Sequence, residues 1–225
     1  MWSNFDCENP DFQVRSVPDD VIFAVNRSAL ERSEVFSSVF LQDFVEPLTN
    51  IYILEDMFIC CDTNSKVSKT ESVLQLHEKC GELAVLLRLL HNTPLPPVEF
   101  PRPNEFGPRQ FDPSTIIPLP ILKSLISVTA DKYALDPDIV RVLRVHLVAH
   151  GQAHGLEVYG FASSHGLEKE ACKASQYVLP LASYSFEEIK VIPDVIAYHK
   201  LVRLQDFRVK ALRDLLLREE LFPSG

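Results

Sequence analysis

Near the start of the chain, a period of two in the hydrophobic pattern gives way to helical spacing. Residues 12–17 and 21–25 alternate between apolar and polar or small side chains, which predicts two strands. Asp19 and its neighbours supply turn chemistry between them, so the pair is predicted to form a hairpin. The spacing then changes to steps of three and four and predicts one helix directly after the second strand, with one face formed by Leu30, Ser33, Phe36, Ser37 and Phe40.

Strand-like and helical stretches then alternate up to residue 153. The apolar runs within residues 51–61 and 72–76 predict further strands. The helix expected from Cys80 is apolar over most of its circumference, which indicates that it is buried. Two more helices are predicted over 121–135 and from Pro137 to about His150, where Gly151 should end the second. The pattern predicts an α+β fold in which a small sheet is covered by a helical cluster.

The segment from Thr93 to Pro120 interrupts this pattern with nine of the sixteen prolines in the chain. Proline at this density prevents both helical and ladder hydrogen bonding. We therefore expect an irregular surface excursion, either flexible or extended in a polyproline-like conformation, which its aromatic residues Phe100, Phe106 and Phe111 could hold in place.

From residue 154 to 225 the pattern is helical throughout. Gly166 and Pro180 mark the ends of two predicted helices, and Ser185 with Glu188 fits a capping box at the start of another. The last segment carries an irregular apolar stripe together with interleaved acidic and basic residues, which favours a solvated helix face. The chain is therefore predicted to consist of a domain over 1–153, with the proline-rich insertion at 93–120, and a helical C-terminal region over 154–225.

Several short motifs resemble the BTB/POZ domain. In that family an aspartate leads the first strand, and a basic residue, a leucine and an S-x-V-F helix follow the hairpin, as Asp11, Arg27, Leu30 and residues 33–36 do here. The stretches SVLQLHEKCGELAVLLRLLHN and ADKYAL resemble later parts of the same domain. Two positions depart from the family pattern. The histidine usually found at the end of the hairpin is Asn26, and a tyrosine is replaced by His91.

The C-terminal region resembles the helical tail of BTB-containing proteins from mushroom-forming (basidiomycete) fungi, on the stretch LEVYGFASSHGLEKEACKASQYVLPL. The resemblance implies a non-enzymatic protein-interaction module rather than an enzyme. One implied role is an adaptor that presents substrates to a cullin-type ubiquitin ligase. The alternative is a scaffold or transcriptional co-regulator that acts through self-association.

The resemblance also implies a homodimer formed by the N-terminal segment and the first helix. Apolar residues near the chain start and on this helix exceed what one helix face can bury alone, which favours an isologous interface. The residues expected to take part are Trp2, Phe5, Asp11, Phe12, Arg27, Val35, Val39 and Leu41.

Composition narrows the range of partners and compartments. The net charge of −9 disfavours nucleic acid as a partner. No apolar run is long enough to span a bilayer, so we expect no membrane insertion. Five cysteines, an odd number without a spacing pattern, and an N-terminus without an apolar signal core favour the cytoplasm or the nucleus.

The sequence contains no recognisable catalytic or cofactor motif. Glycine-rich phosphate loops and G-x-S-x-G are absent, and no cofactor is expected. His146, His150 and His154 are four residues apart, but Gly151 should break their register, so we predict that they bind no metal. Cys60, Cys61 and Cys80 lie on apolar elements and are expected to be small buried side chains.

Overall fold

The computed structural model describes residues 5–42, 57–58, 73–101, 109–129 and 132–217. Its chain divides into two compact units, an N-terminal unit of Met1–Pro96 with Ile117–Leu143 and a C-terminal unit of Pro97–Ile116 with Arg144–Gly225. The division falls after Leu143, ten residues before the boundary suggested by the sequence pattern. The proline-rich segment groups largely with the C-terminal unit.

The fold is mixed α+β, as predicted. The strands of the described sheet are β1 (Phe12–Ser16), β2 (Val21–Val25), β3 (Met57–Phe58) and β4 (Val73–Leu76). Their order is β2-β1-β4-β3, with β1 antiparallel to β2 and parallel to β4. The predicted hairpin is confirmed, with Val14 opposite Phe23. The other strand-like residues, 51–54 and 59–61, lie outside the described residues.

The helices of the N-terminal unit build its core around the sheet. They are α1 (Arg27–Leu30), α2 (Glu34–Gln42), α3 (Cys80–His91), α4 (Leu119–Ser124) and the first part of α5 (Pro137–Ala149). Helix α3 buries seven side chains, from Leu83 to Leu90, with Arg88 the half-buried exception. The prediction that this helix is buried over most of its circumference is therefore confirmed.

The prediction of a single helix after the hairpin is wrong, because the helical backbone is interrupted between α1 and α2. The backbone of Ser33 pairs with Leu135, and the Ser33 hydroxyl donates to the carbonyl of Tyr133. The same hydroxyl accepts the Phe36 N–H at 3.3 Å, as an N-cap side chain does. Ser33 is completely buried, so its polar groups need these partners and the local helical spacing yields to them.

The helix predicted over 121–135 is also interrupted. Helix α4 opens into wide π-helical turns over Leu125–Thr129. Further on, Ala134 takes a positive φ of 42°, which a continuous helix does not allow. Gly151 does not act as a left-handed helix end either, because helix α6 (Gly151–Ser164) begins at it directly after α5.

The described C-terminal unit consists mainly of helices. They are the last part of α5, then α6 (Gly151–Ser164), α7 (Glu168–Ser175), α8 (Phe186–Ile189) and α9 (Val195–Leu216). Gly166 ends α6 with a φ of +66°, and the capping box of Ser185 and Glu188 is present on α8, both as predicted. A Cβ on Gly155 would lie 2.9 Å from the backbone of Tyr177, so glycine is required where that segment crosses α6.

The described parts of the proline-rich segment are irregular, as predicted. Within them, the regular features before α4 are an isolated bridge between Glu99 and Phe111 and a 3₁₀ turn over Pro113–Thr115. Phe111 is half-buried, whereas Phe100 is exposed, and Phe106 lies outside the described residues.

Among the helices that the structure describes, none combines the length and apolarity required to cross a membrane.

We predict that Phe36→Ala strongly destabilises the N-terminal unit. Phe36 is fully buried and its ring stacks on Tyr133, with 5.0 Å between the ring centroids. Removing a buried phenylalanine side chain costs about 3–5 kcal/mol of unfolding free energy. Urea unfolding followed by circular dichroism measures this cost. Phe186→Ala is the control because Phe186 is 74% exposed, and an equal loss in both variants would contradict the prediction.

Candidate functional site

Asp11 and Arg27, which carry the resemblance described above, meet at one corner of the N-terminal unit. Asp11 Oδ1 accepts the backbone N–H of Arg27 at 2.7 Å, and the backbone N–H of Asp11 donates to the Val25 carbonyl at 3.0 Å. Asn26 occupies the N-cap position of α1, but its side chain makes no capping bond. Asp11 therefore supplies, from outside the helix, an acceptor that the first turn of α1 requires.

The Arg27 side chain lies on an aromatic pair. Its guanidinium carbon is 4.3 Å from the centroid of the Phe40 ring, and Nη2 donates to the Phe40 carbonyl at 3.3 Å. Phe12 meets Phe40 edge to face at 5.2 Å. Phe40 is buried, while Phe12 and Arg27 are half-buried. The corner thus presents a cation and part of one aromatic ring to solvent.

The remaining predicted interface residues are distributed differently from expectation. Phe5 contacts its own chain, with its ring 4.8 Å from the His91 ring and 6.3 Å from that of Phe23. Val39 is buried and Val35 is half-buried. Trp2 lies outside the described residues, as does the side chain of Leu41. On the described residues, the apolar surplus is therefore smaller than the sequence suggested.

His91 joins the hairpin to α3, a role that the sequence did not reveal. Its Nε2 accepts the Asn26 N–H at 2.8 Å, so the ring proton resides on Nδ1 and is donated to the Leu87 carbonyl at 2.8 Å. Burial lowers the pKa of the ring, against an opposing effect of that carbonyl and of the Asp11 carboxylate. Asn26 and His91 are the two departures from the family pattern, and they contact each other.

A second surface lies on α9, where many apolar side chains are exposed. They include Val195, Ile196, Phe207, Val209, Leu212, Leu215 and Leu216. The sequence pattern indicates this stripe but does not separate its exposed part from its buried part. A repeat of seven residues was the signal for a helix-pairing surface, and it places Val195, Val202, Val209 and Leu216 on one face.

A cavity of about 420 Å³ in the C-terminal unit is lined by residues of α6, α7 and α9. The Tyr159 hydroxyl donates to the Ala197 carbonyl at 2.8 Å, and burial raises the pKa of that hydroxyl. Cys172 and Ser163 also line the cavity, and none of its described lining residues is a histidine. The lining thus lacks the pairing of a nucleophile with an imidazole base that nucleophilic catalysis commonly uses.

The three histidines considered as metal ligands are placed differently from one another. His146 is buried, whereas His154 is exposed and has a non-helical backbone that kinks α6. His154 faces Glu157, with 3.7 Å between Nδ1 and the carboxylate. Among the described residues, no group of three His, Cys, Asp or Glu side chains is arranged to hold a metal.

Of the three cysteines predicted to be buried, Cys60 and Cys61 lie outside the described residues. Cys80 is half-exposed at the start of α3 instead of buried. The Cys80 N–H donates to the Asp19 carboxylate. A hydrogen bond with this carboxylate raises the pKa of the Cys80 thiol, which disfavours the reactive thiolate.

No protein-family profile, curated protein or solved structure matches this chain.

We predict that the protein loses stability as the pH falls from 7.5 to 5.5, in part through His91. The pKa of this ring is lowered in the folded state, so below its ordinary value of 6.5 the unfolded chain takes up a proton that the folded chain resists. Above that value both states are neutral and the effect vanishes. Urea unfolding at both pH values should show a smaller pH-dependent loss for His91→Gln, whose side-chain oxygen keeps an acceptor. Equal losses in the two proteins would contradict this role.

We predict that purified protein contains no stoichiometric zinc, because His154 points into solvent toward Glu157 while His146 is buried. Elemental analysis after dialysis against a weak chelator measures the metal content. One zinc per chain, lost in His150→Ala, would contradict the prediction.

Proposed function

We propose that this chain is a non-enzymatic protein-interaction module of the BTB/POZ type that associates with a second copy of itself. The observation that carries the proposal is the contact between Asp11 and Arg27. These residues lie at the open end of the β1–β2 hairpin, where the Asp11 carboxylate accepts the Arg27 backbone N–H. The aspartate before the first strand thus supplies an acceptor at the start of α1, at the position that the resemblance gives it.

The arrangement of the elements supports the same proposal. The hairpin β1–β2 leads directly into α1 and α2, and the buried helix α3 follows β4, in the order that the resemblance implies. The Phe36 side chain, from the S-x-V-F motif, lies in the core against Tyr133, from the ADKYAL motif. Two motifs separated by nearly a hundred residues are therefore in contact.

The surface offered to a partner includes Arg27 and Phe12, which both contact Phe40, and Val35 on α2. All three side chains are half-buried within one chain, which leaves area for a second chain to cover. An isologous interface repeats each patch on both sides of a twofold axis. Asp11 and Arg27 provide opposite charges at the same corner, so two such corners can be complementary to each other.

Within this class, we propose the role of an adaptor that binds a cullin-type ubiquitin ligase through the BTB-like unit. The support is the family resemblance alone. Affinity purification of the full chain followed by mass spectrometry tests it. Recovery of a cullin in amounts comparable to the bait supports the adaptor role. Recovery of the bait with other proteins and without a cullin supports the scaffold or co-regulator role instead.

We predict that Val35→Asp weakens self-association without a large loss of stability. The valine is only half-buried, so its replacement places a charge in the interface while the core of the unit is kept. Light scattering after size-exclusion chromatography, at tens of micromolar protein, should give a lower average mass than that of the wild-type protein. Ser38→Asp is the matched control, since Ser38 is an exposed residue of the same helix. A wild-type protein that is monomeric under these conditions would refute the proposed self-association.

A further inference from the structure

Helix α9 has two parts with different surroundings. In the first part, Ala197 and Leu201 are buried, and Gln205 both donates to the Leu179 carbonyl and accepts the Leu181 N–H. Arg208 then donates to the Ser175 carbonyl at 3.1 Å. These contacts fix the first part of α9 to its own unit.

Beyond Arg208 the helix continues without burying any described side chain. All residues from 209 to 217 are exposed, yet most of them are apolar. Val209 is 67% exposed, Leu212 56% and Leu216 50%. A short helix exposed on all sides gains little stability in water from hydrogen bonds alone, because most helical stability in proteins comes from packing of an apolar face.

Three of the exposed apolar residues of α9, together with the half-buried Val202, follow the spacing of a two-helix seam. Val202, Val209 and Leu216 recur every seven residues, and Leu212 follows Val209 by three. This is the a/d pattern that places side chains against a second helix, with valine common at a and leucine at d. Leu179, whose carbonyl accepts from Gln205, is itself 58% exposed and extends this surface.

The charges beside the seam distinguish a parallel from an antiparallel pair of identical α9 helices. Asp206 and Arg213 occupy the same flank, one heptad apart, and Arg208 occupies the other flank. A parallel pair of identical helices would place Arg208 beside Arg213 of the partner subunit on both sides, which is repulsive. In an antiparallel pair centred between Val209 and Leu212, Asp206 of each helix lies near the partner's Arg213. The twofold symmetry therefore produces two attractive pairs.

We infer that the exposed end of α9 pairs with the same segment of a second copy in an antiparallel two-helix arrangement. In this arrangement Val209 lies beside the partner's Leu212, and Leu216 lies beside the partner's Gln205 and close to the partner's Leu179. Self-complementary charges and the heptad spacing identify a second copy as the occupant of this surface. The surface is separate from the one around Arg27, so the inference does not rest on the proposed function.

Charge reversal on the flank tests both the pairing and its direction. Asp206→Arg and Arg213→Asp each place like charges together in the antiparallel pair, and each should weaken the dimer about tenfold at low salt. The double variant D206R/R213D restores opposite charges and should return to within about twofold of the original dissociation constant. Both residues are exposed, so folding is preserved and circular dichroism verifies it.

Sedimentation equilibrium should be measured with these changes in the Val35→Asp background, so that association around Arg27 does not contribute. In the same background, Leu212→Asp should weaken association by about a hundredfold or more, because two leucine side chains lose their burial. Ala211→Asp, an exposed change away from the seam, should have little effect.

Unchanged association in Leu212→Asp, or a Val35→Asp protein that is already monomeric, would overturn the inference. Tighter association in Arg213→Asp would overturn the antiparallel direction, since a parallel pair gains an attraction to Arg208.

Discussion

The N-terminal unit depends on acceptors that the hairpin provides for the starts of two helices. The first N–H groups of a helix have no partner within it and are costly to leave unpaired. Neither Asn26 nor Lys79, the residues at the cap positions of α1 and α3, makes a side-chain capping bond. Asp11, just before β1, accepts from the first residue of α1, and Asp19, in the hairpin turn, accepts from the first residue of α3. The hairpin therefore fixes where both helices begin.

These contacts explain which parts of the fold the sequence could predict. The hairpin and α3 follow from periodicity, because alternation or a broad apolar stripe is a local signal. The break at Ser33 is not local, since it depends on the Tyr133 carbonyl, 100 residues further along the chain. The same holds for the acceptor of the Cys80 N–H, which is 61 residues away at Asp19. Local spacing predicted one helix where distant hydrogen bonding produces two.

The sequence named the residues of the candidate interface but not their contacts. The family resemblance pointed to Asp11 and Arg27 separately, and it was the structure that showed the Asp11 carboxylate accepting the Arg27 backbone N–H. The count of apolar residues could not show that Phe12 packs on Phe40, or that Phe5 packs on Phe23 and His91. An aromatic residue outside a predicted helix has no periodicity to assign it a neighbour. For this reason, the sequence could not show that these described aromatic residues pack on their own chain.

The contact between Asn26 and His91 shows how a side chain can satisfy a backbone group that is distant along the chain. A backbone N–H at the end of the hairpin needs an acceptor, and a neutral imidazole at the end of α3 provides one only if its other nitrogen carries the proton. The Leu87 carbonyl, one turn earlier on the same helix, accepts a hydrogen bond from the Nδ1–H group and thereby fixes the tautomer. A tyrosine at this position would offer a hydroxyl in place of a ring nitrogen, at a different distance from the helix axis. The junction between hairpin and helix therefore depends on the His91 side chain and on the backbone of residue 26.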